Sequence, residues 1–156
     1  MDELIYMKEA LCLANEAAAD GEVPVGAAVV RGGEIVGRGG EIVGRGRNRR
    51  ETKKNALAHA EIEAINDACK NLGGWRLWEC EMYVTLEPCP MCAGAIINAR
   101  IRRLVFGAYD EKAGSCGTVV DLFALPYNHR PEVLGGFMAE ECAEPLKRFF
   151  AGLRNK

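Results

Sequence analysis

The chain has 156 residues, of which 49% are hydrophobic and 27% charged, and its formal net charge is −2. This composition excludes a disordered chain, a collagen-like fibre and a coiled coil. The length suffices for one buried core and is too short for two ordinary domains, so we expect a single domain over residues 1–156. The charge balance excludes a uniformly cationic nucleic-acid binder, although it leaves room for a local basic patch.

The first residues lack the basic start and apolar stretch of a secretory signal, and no run approaches the roughly 18 apolar residues of a membrane span. We therefore expect a cytoplasmic protein without a membrane partner. Because the cytosol keeps thiols reduced, the seven cysteines indicate core positions, metal ligands or catalytic groups rather than disulfides.

The predicted elements alternate between helix and strand, as judged from apolar periodicity and from glycine and proline positions. In chain order they are a helix over 2–19, a hairpin with strands over 25–30 and 34–36, a helix over 56–68, a strand over 82–86, a helix over 88–98, a strand over 103–107, a short helical turn over 119–122, a weak strand over 131–134 and a helix over 138–153. This order predicts a three-layer α/β domain whose sheet has a parallel component.

A seven-residue segment is repeated in tandem within the predicted hairpin. Residues 32–38 read GGEIVGR, and residues 39–45 repeat them letter for letter. Successive side chains of a strand point to opposite faces of the sheet, and the repeated segment has an odd number of residues. If both copies lay along one strand, the Ile and Val of the second copy would therefore face the side opposite to those of the first. We predict that the second copy occupies the strand, since it runs directly into Asn48, and that the first extends the hairpin tip.

One imidazole and two thiols stand out as candidate metal ligands. His59 lies in the segment LAHAE, and Cys89 and Cys92 lie in EPCPMC. This donor set suits Zn²⁺, and three protein ligands leave one tetrahedral position open, as in catalytic zinc sites. A closed structural site, with Cys116 or His129 as a fourth ligand, is the alternative.

Glu61 follows His59 by two positions, which is about 200° round a helix, so the two cannot both coordinate from one helix face. If His59 binds the metal from the first turn, Glu61 can reach a water at the open position and transfer its proton to a leaving group. Ligands at helix N-termini would also favour thiolates. Taken alone, Glu61 would be better explained as a solvated helix carboxylate.

His59-Ala60-Glu61, followed along the chain by Pro88-Cys89-Pro90-Met91-Cys92, resembles the signature of the zinc-dependent nucleobase deaminases. Within that superfamily the chain is similar to the bacterial tRNA-specific adenosine deaminases. The similarity covers nearly the whole sequence, through segments that include EVPVGA at 22–27, YVTLEP at 83–88, VFGA at 105–108 and NHR at 128–130.

The resemblance implies a cytidine-deaminase-like α/β/α fold with a mixed five-stranded sheet, a homodimer, and hydrolytic deamination of adenosine to inosine at the wobble position of a tRNA anticodon. It assigns zinc ligation to His59, Cys89 and Cys92 and proton transfer to Glu61. It also implies that the substrate-binding residues are Asn48, Val25, Leu86, Asp110 and Ala108.

Candidate RNA contacts lie in a basic segment and near the C-terminus. Residues 31–54 hold eight basic and three acidic residues, a stripe that can follow phosphates. Aromatic and cationic side chains further along could stack on bases or bind the RNA backbone, or could instead pack in the core. These candidates are His129, Arg130, Arg148, Phe149, Phe150 and Arg154.

Two other functions stay open at the level of sequence. A free nucleobase or nucleoside deaminase, acting on guanine or cytosine, would share the metal chemistry but have a smaller pocket. The segment over 128–150 favours the tRNA branch over this alternative. A non-catalytic zinc-containing RNA-binding module would keep the metal ligands without requiring Glu61.

Overall fold

The computed structural model describes residues 2–33 and 38–154, without the side chains of residues 33, 38 and 39. Its helices are α1 (Asp2–Ala19), α2 (Ala60–Leu72), α3 (Pro90–Ala99) and α4 (Ala139–Arg154), with a 3-10 turn over Leu122–Ala124. Its strands are β1 (Gly26–Gly33), β2 (Arg38–Arg47), β3 (Cys80–Leu86), β4 (Arg103–Ala108) and β5 (Glu132–Gly135). None of these described helices has the length and apolar character needed to cross a bilayer.

The five strands form one sheet in the order β2-β1-β3-β4-β5. Strand β1 is antiparallel to both of its neighbours, whereas β3, β4 and β5 run parallel. Parallel neighbours need a crossover connection, which α3 provides between β3 and β4. The mixed five-stranded sheet implied by the resemblance is therefore confirmed.

Helices cover both faces of the sheet, because successive strand side chains point to opposite sides. On one face, Val29 packs in a core with Ala64 of α2. On the other, Val30 and Tyr83 pack with Met7 of α1. The three layers of the predicted α/β/α architecture follow from this alternation.

The second copy of the duplicated segment lies within β2. Val29 pairs with Gly44 and Val30 pairs with Ile42, so Val43 is the extra residue of a β-bulge. Val43 is buried on the α2 side of the sheet, and Ile42 packs on the α1 side. The strand predicted over residues 34–36 lies outside the described residues.

Helix α3 begins two residues later than predicted, at Pro90 rather than at residue 88. A residue that precedes proline is driven out of the helical region, and Cys89 accordingly has an extended backbone, with φ −75° and ψ 176°. Pro90 then occupies the first helical position, which its fixed φ favours. Cys89 thus becomes the N-cap residue instead of a residue within the helix.

Helix α2 also begins later than predicted, at Ala60 rather than at residue 56. The preceding segment forms turns, in which the Asn55 side chain accepts a hydrogen bond from the backbone N–H of Leu57 at 2.9 Å. The short helical turn predicted over 119–122 is wrong in its position. It lies at Leu122–Ala124, where the Asp121 side chain caps it by accepting from the N–H of Phe123.

Candidate active site

The N-termini of α2 and α3 meet near the carboxyl end of β3. His59 is the N-cap residue of α2, Cys89 is the N-cap residue of α3, and Cys92 lies in the first turn of α3. The side chain of His59 points across to α3, where its Nδ1 atom faces the sulfurs of both cysteines. Two segments far apart in sequence thereby bring one imidazole and two sulfurs together.

The three side chains have the separations that a single metal ion requires. The Nδ1 atom of His59 lies 3.7 Å from the Sγ of Cys89 and 3.5 Å from the Sγ of Cys92. A tetrahedral zinc, with bonds of about 2.3 Å to sulfur and about 2.05 Å to nitrogen, would hold such ligands about 3.6 Å apart. The donor set and its spacing both fit Zn²⁺.

The cluster has three members among the described residues, which matches an open site better than a closed one. Cys116 is buried elsewhere, with its backbone N–H bonded to Glu87. His129 places its Nε2 atom 2.6 Å from the carbonyl oxygen of Ile101, which precedes β4. Neither residue that sequence offered as a fourth ligand joins the group.

The pKa values of the two cysteines are shifted in opposite directions. A hydrogen bond from the Cys92 thiol lowers the pKa of Cys89 to about 4, and a further hydrogen bond from His59 adds to the effect. The pKa of Cys92 is raised, because its proton is held by the Cys89 sulfur and because the side chain is buried. A thiolate at the N-terminus of α3 also benefits from the helix dipole.

Glu61 is buried beside the three candidate ligands, with 4% of its surface exposed. Burial raises the pKa of this carboxyl to about 7, which the positive charge of His59 partly opposes. A carboxyl with a pKa near neutrality can both accept and return a proton under physiological conditions. The alternative that Glu61 is a solvated helix carboxylate does not hold in the structure.

A cavity of about 630 Å³ opens over these residues. His59, Glu61 and Cys89 form part of its wall. Four of the five residues predicted to bind substrate also line it, namely Val25, Asn48, Leu86 and Asp110. The structure thus brings the predicted metal, acid–base and substrate residues to one place.

Ala108 is the predicted substrate residue that does not line the cavity. Its side chain is buried in the core on the α1 and α4 side of the sheet, near Tyr83 and Val105. Its carbonyl oxygen accepts a hydrogen bond from the N–H of Glu87 at 2.8 Å. Ala108 therefore supports the cavity through its backbone.

The Asn48 amide is fixed by its neighbours. Its Nδ2 atom donates to the carbonyl of Val23 and its Oδ1 atom accepts from the N–H of Arg50, both at 3.1 Å. The side chain is 8% exposed, so one edge of it still reaches the cavity. These bonds set its orientation before any ligand enters.

Sequence reasoning missed several residues of the cavity wall. These are Val23, Arg50, Tyr109, Lys112 and Leu146, among others. Most lie within two positions of a residue that was predicted, and that proximity was the only signal. Spacing alone could not show which of two neighbours points into the cavity.

Glu87, which sequence reasoning also missed as an individual residue, holds one wall of the cavity. Its buried carboxylate accepts hydrogen bonds from the backbone N–H groups of Asp110, Cys116 and Thr118 at 3.1 to 3.2 Å, and from the Thr118 hydroxyl at 2.5 Å. A Cβ at Gly114 would collide with this carboxylate, so glycine allows the close approach. One side chain thereby organises the loop over 110–118.

Glu22 holds a second segment of the cavity wall by hydrogen bonds of the same kind. Its carboxylate accepts from the backbone N–H and the hydroxyl of Thr52, each at 2.6 Å, and from the N–H of Glu51 at 3.1 Å. These bonds fix the turn that carries Arg50 into the cavity wall.

The two phenylalanines of α4 face different surroundings. Phe150, which is 42% exposed, lines the cavity. Phe149 and Arg148 line a separate groove of about 430 Å³ between the ends of α1 and α4. Arg154 is exposed at the last turn of the helix. Of these four predicted RNA contacts, only Phe150 reaches the cavity.

His129 and Arg130 lie near the start of β4, at the end of the sheet away from the cavity. His129 contacts Ile101, before the start of β4, whereas Asp110 of the cavity follows the end of that strand. At about 3.3 Å per residue, the six-residue strand separates these positions by roughly 20 Å. Arg130 is exposed there, with its guanidinium 3.4 Å from the carbonyl of Ala124.

Comparison with known proteins identifies the family. A family model described as MafB19-like deaminase matches residues 1–154. The tRNA-specific adenosine deaminase of Bacillus subtilis (strain 168) is 49% identical over 156 residues, which cover 99% of this chain and 92% of that protein. This chain belongs to the family of tRNA-specific adenosine deaminases.

Solved structures agree with this assignment of the deaminase. One of these structures comes from work on A-to-I editing by tRNA:A34 deaminases at the wobble position of transfer RNA. It is 42% identical to the present chain with a TM-score of 0.85, and the match covers 92% of the present chain and 99% of the chain in that structure. A guanine deaminase from Nitrosomonas europaea is 26% identical with a TM-score of 0.72, covering 94% and 83% of the two chains. The deaminase fold expected from the resemblance is confirmed.

Proposed function

We propose that this deaminase converts adenosine to inosine at the wobble position of a tRNA anticodon. The observation that carries the proposal is the convergence of His59, Cys89 and Cys92 beside the buried Glu61 in one cavity. The similarity to tRNA-specific adenosine deaminases along almost the full chain supports adenosine in tRNA as the substrate.

His59, Cys89 and Cys92 would hold the zinc ion. When bound, zinc lowers the pKa of water toward neutrality, which supplies a hydroxide nucleophile at physiological pH. The N-termini of α2 and α3 contribute backbone N–H groups and the positive ends of their dipoles to the same region. These dipoles favour the developing negative charge of the reaction.

Glu61 transfers the protons of the reaction. Its carboxylate accepts a proton from the attacking water and donates it to N1 of the base; it then accepts the proton of the new C6 hydroxyl and donates it to the departing amine. The oxygen of water forms a bond to C6, the bond from C6 to the amino nitrogen breaks, and ammonia leaves. The pKa of about 7 places Glu61 where both directions of transfer are feasible.

The remaining cavity residues would hold the base. Val25 and Leu86 give it apolar walls, Asn48 offers hydrogen bonds to its edge, Phe150 presents a ring for stacking, and Asp110 lies near the nucleotide. A base must leave its stack to enter such a cavity, which costs less in an anticodon loop than in a duplex.

We further propose that the chain forms one deaminase domain that assembles as a homodimer. Several large apolar side chains, at residue 57 and over 119–127, are 42 to 59% exposed, and their burial in a partner would remove them from water. They are Leu57, Val119, Val120, Leu125 and Tyr127. Light scattering on the eluting protein should give twice the chain mass.

The test of the activity combines metal analysis with detection of inosine. The purified protein is incubated with tRNA, the RNA is digested to nucleosides and inosine is quantified, with free adenine, guanine and cytosine as parallel substrates. We expect inosine in tRNA, and a fall of roughly a thousandfold in the rate of its formation by the Glu61→Gln variant with its zinc retained.

Glu140→Gln on the exposed face of α4 is the matched control. Ammonia release from free bases alone, or an active Glu61→Gln protein, would overturn the proposal.

A further inference from the structure

A basic groove of about 420 Å³ lies between β2 and α2, beside the cavity. Five cations line it, contributed by the end of β2, the turn that follows and α2. They are Arg45, Arg47, Arg49, Lys53 and Lys70. The proposed reaction uses none of them.

The two arginines of β2 are already neutralised by carboxylates of α1 and of the residue that follows it. Arg45 pairs with Glu9 at 2.9 Å, and Arg47 pairs with Glu16 at 3.6 Å and with Asp20 at 3.2 Å. These pairs anchor α1 to the sheet edge, so this part of the groove carries little surplus charge.

The other three cations have less compensation. Arg49 and Lys53 share one carboxylate, that of Glu63, at 3.8 Å and 2.8 Å. Lys70 forms no ion pair within the ranges that the structure describes. Asp67, the other acidic residue of the wall, accepts a hydrogen bond from a backbone N–H. Because Asp67 keeps its charge when it accepts this bond, the three cations face two carboxylates, and the α2 side of the groove has a surplus of one positive charge.

The groove adjoins the cavity at two consecutive arginines. Arg49 lines the groove and Arg50 lines the cavity, and consecutive Cα atoms are about 3.8 Å apart. The Arg50 guanidinium also has no ion pair among the described residues. A polyanion whose end entered the cavity would pass Arg50 and meet Arg49 next.

We infer that this groove binds the phosphate backbone of the RNA whose base enters the cavity. The inference rests on the proposed function, since it names the path of that substrate. The planar guanidinium of Arg49 matches the oxygens of a phosphate, and Lys70 supplies a mobile point charge. Such contacts release condensed counterions, so they add affinity that depends on salt and not on sequence.

The test removes two cations of the groove and measures RNA binding against salt. Arg49→Gln/Lys70→Gln is made in the Glu61→Gln protein, so that the anticodon stem-loop RNA used as the probe is not converted. We expect the Kd at low salt to rise roughly tenfold and the slope of log affinity against log salt to fall by about 1 to 2. In the active protein, the same pair should raise KM far more than it lowers kcat.

The matched control removes the same two charges elsewhere. Lys8→Gln/Arg102→Gln alters exposed residues on α1 and before β4, and it should leave the affinity and the salt slope as they are. Glu63→Gln makes the opposite change, because it removes the carboxylate that pairs with both Arg49 and Lys53. It should tighten binding and steepen the slope, a gain that a folding defect cannot produce.

The groove is excluded as an RNA site if the double variant binds like the control and Glu63→Gln brings no gain. That result can coexist with normal inosine formation by the parent protein. Absence of inosine from the parent protein would instead refute the proposed function. The two failures are therefore distinguishable.

Discussion

Glu87 shows how one side chain can shape a cavity without touching the reacting atoms. Its carboxylate accepts four hydrogen bonds from the loop over 110–118, and that loop carries Asp110 and Lys112 into the cavity wall. All four bonds end on two oxygens of a residue that is 2% exposed. A replacement that cannot accept at both oxygens leaves buried N–H groups unsatisfied.

We predict that Glu87→Gln lowers kcat/KM for tRNA by roughly ten- to a hundredfold and destabilises the fold by about 1 to 3 kcal/mol. The amide of glutamine turns a donor toward backbone donors, so the loop over 110–118 loses part of its anchor. Steady-state kinetics and denaturant unfolding measure the two effects, with zinc content expected to stay at the wild-type value. Glu132→Gln, on exposed β5, is the control, and wild-type kinetics in Glu87→Gln would show that the loop needs no such anchor.

At the scale of elements, the pairing of β1 with β2 is compatible with the loss of one copy of the duplicated seven-residue segment. Arg31 pairs with Glu41 across β1 and β2. Removal of residues 32–38 would join Arg31 directly to Gly39, and a two-residue Gly39-Gly40 turn would then close that pair. Two glycines suit the tight turns of such hairpins.

Deletion of residues 32–38 is therefore expected to leave inosine formation and the melting temperature close to the parent values. Because the copies are identical, deletion of residues 39–45 gives the same protein, so a single variant tests both. The measurement is tRNA deamination together with thermal unfolding. A large gain in activity on deletion would mean that the duplication distorts the site, and a loss of folding would mean that the sheet needs the longer hairpin.

The elements that sequence predicted best are those with a local cause. The apolar periodicity of α1 and the β-branched run of β3 gave those elements close to their observed bounds. The start of α2 was wrong, because helix formers fill residues 56–59 while the turn before them is held by Glu22, far away in sequence. Local propensity contains no information about such a long-range partner.

The same division applies to the site. His59, Glu61 and the cysteine pair could be predicted because their residue types and spacing are specific to one chemistry. Arg50 and Glu87 could not, because an arginine beside an asparagine or a glutamate before a proline is common in many settings. Their roles depend on side-chain direction and on partners in other loops.

At the scale of the whole molecule, the metal would link two helices that otherwise have few contacts across the core. His59 begins α2 and the cysteines begin α3, so a bound ion ties both N-termini together. A ligand that binds only the folded state stabilises it by about 2.7 kcal/mol at a hundred times its Kd. Zinc should therefore contribute to the stability of the fold as well as to its chemistry.

Removal of zinc by a chelator is expected to lower the melting temperature by roughly 5 to 10 °C, and Zn²⁺ but not Mg²⁺ should restore it. Differential scanning fluorimetry measures the shift. Cys12→Ser, an exposed cysteine on α1, should respond as the parent protein does, whereas His59→Ala should show little response. If the chelator lowered the melting temperature of His59→Ala as much as that of the parent protein, the stabilising metal would be bound outside this cluster.

Zinc X-ray absorption spectroscopy on the purified protein, with its metal content determined, identifies the atoms that surround the ion. We expect one zinc per chain with two sulfur neighbours at about 2.3 Å, the remaining neighbours being nitrogen or oxygen at about 2.0 to 2.2 Å. Cys89→Ser should reduce the sulfur count by one. A spectrum with three or four sulfurs, or one unchanged by Cys89→Ser, would contradict a site built from His59, Cys89 and Cys92 with one position open.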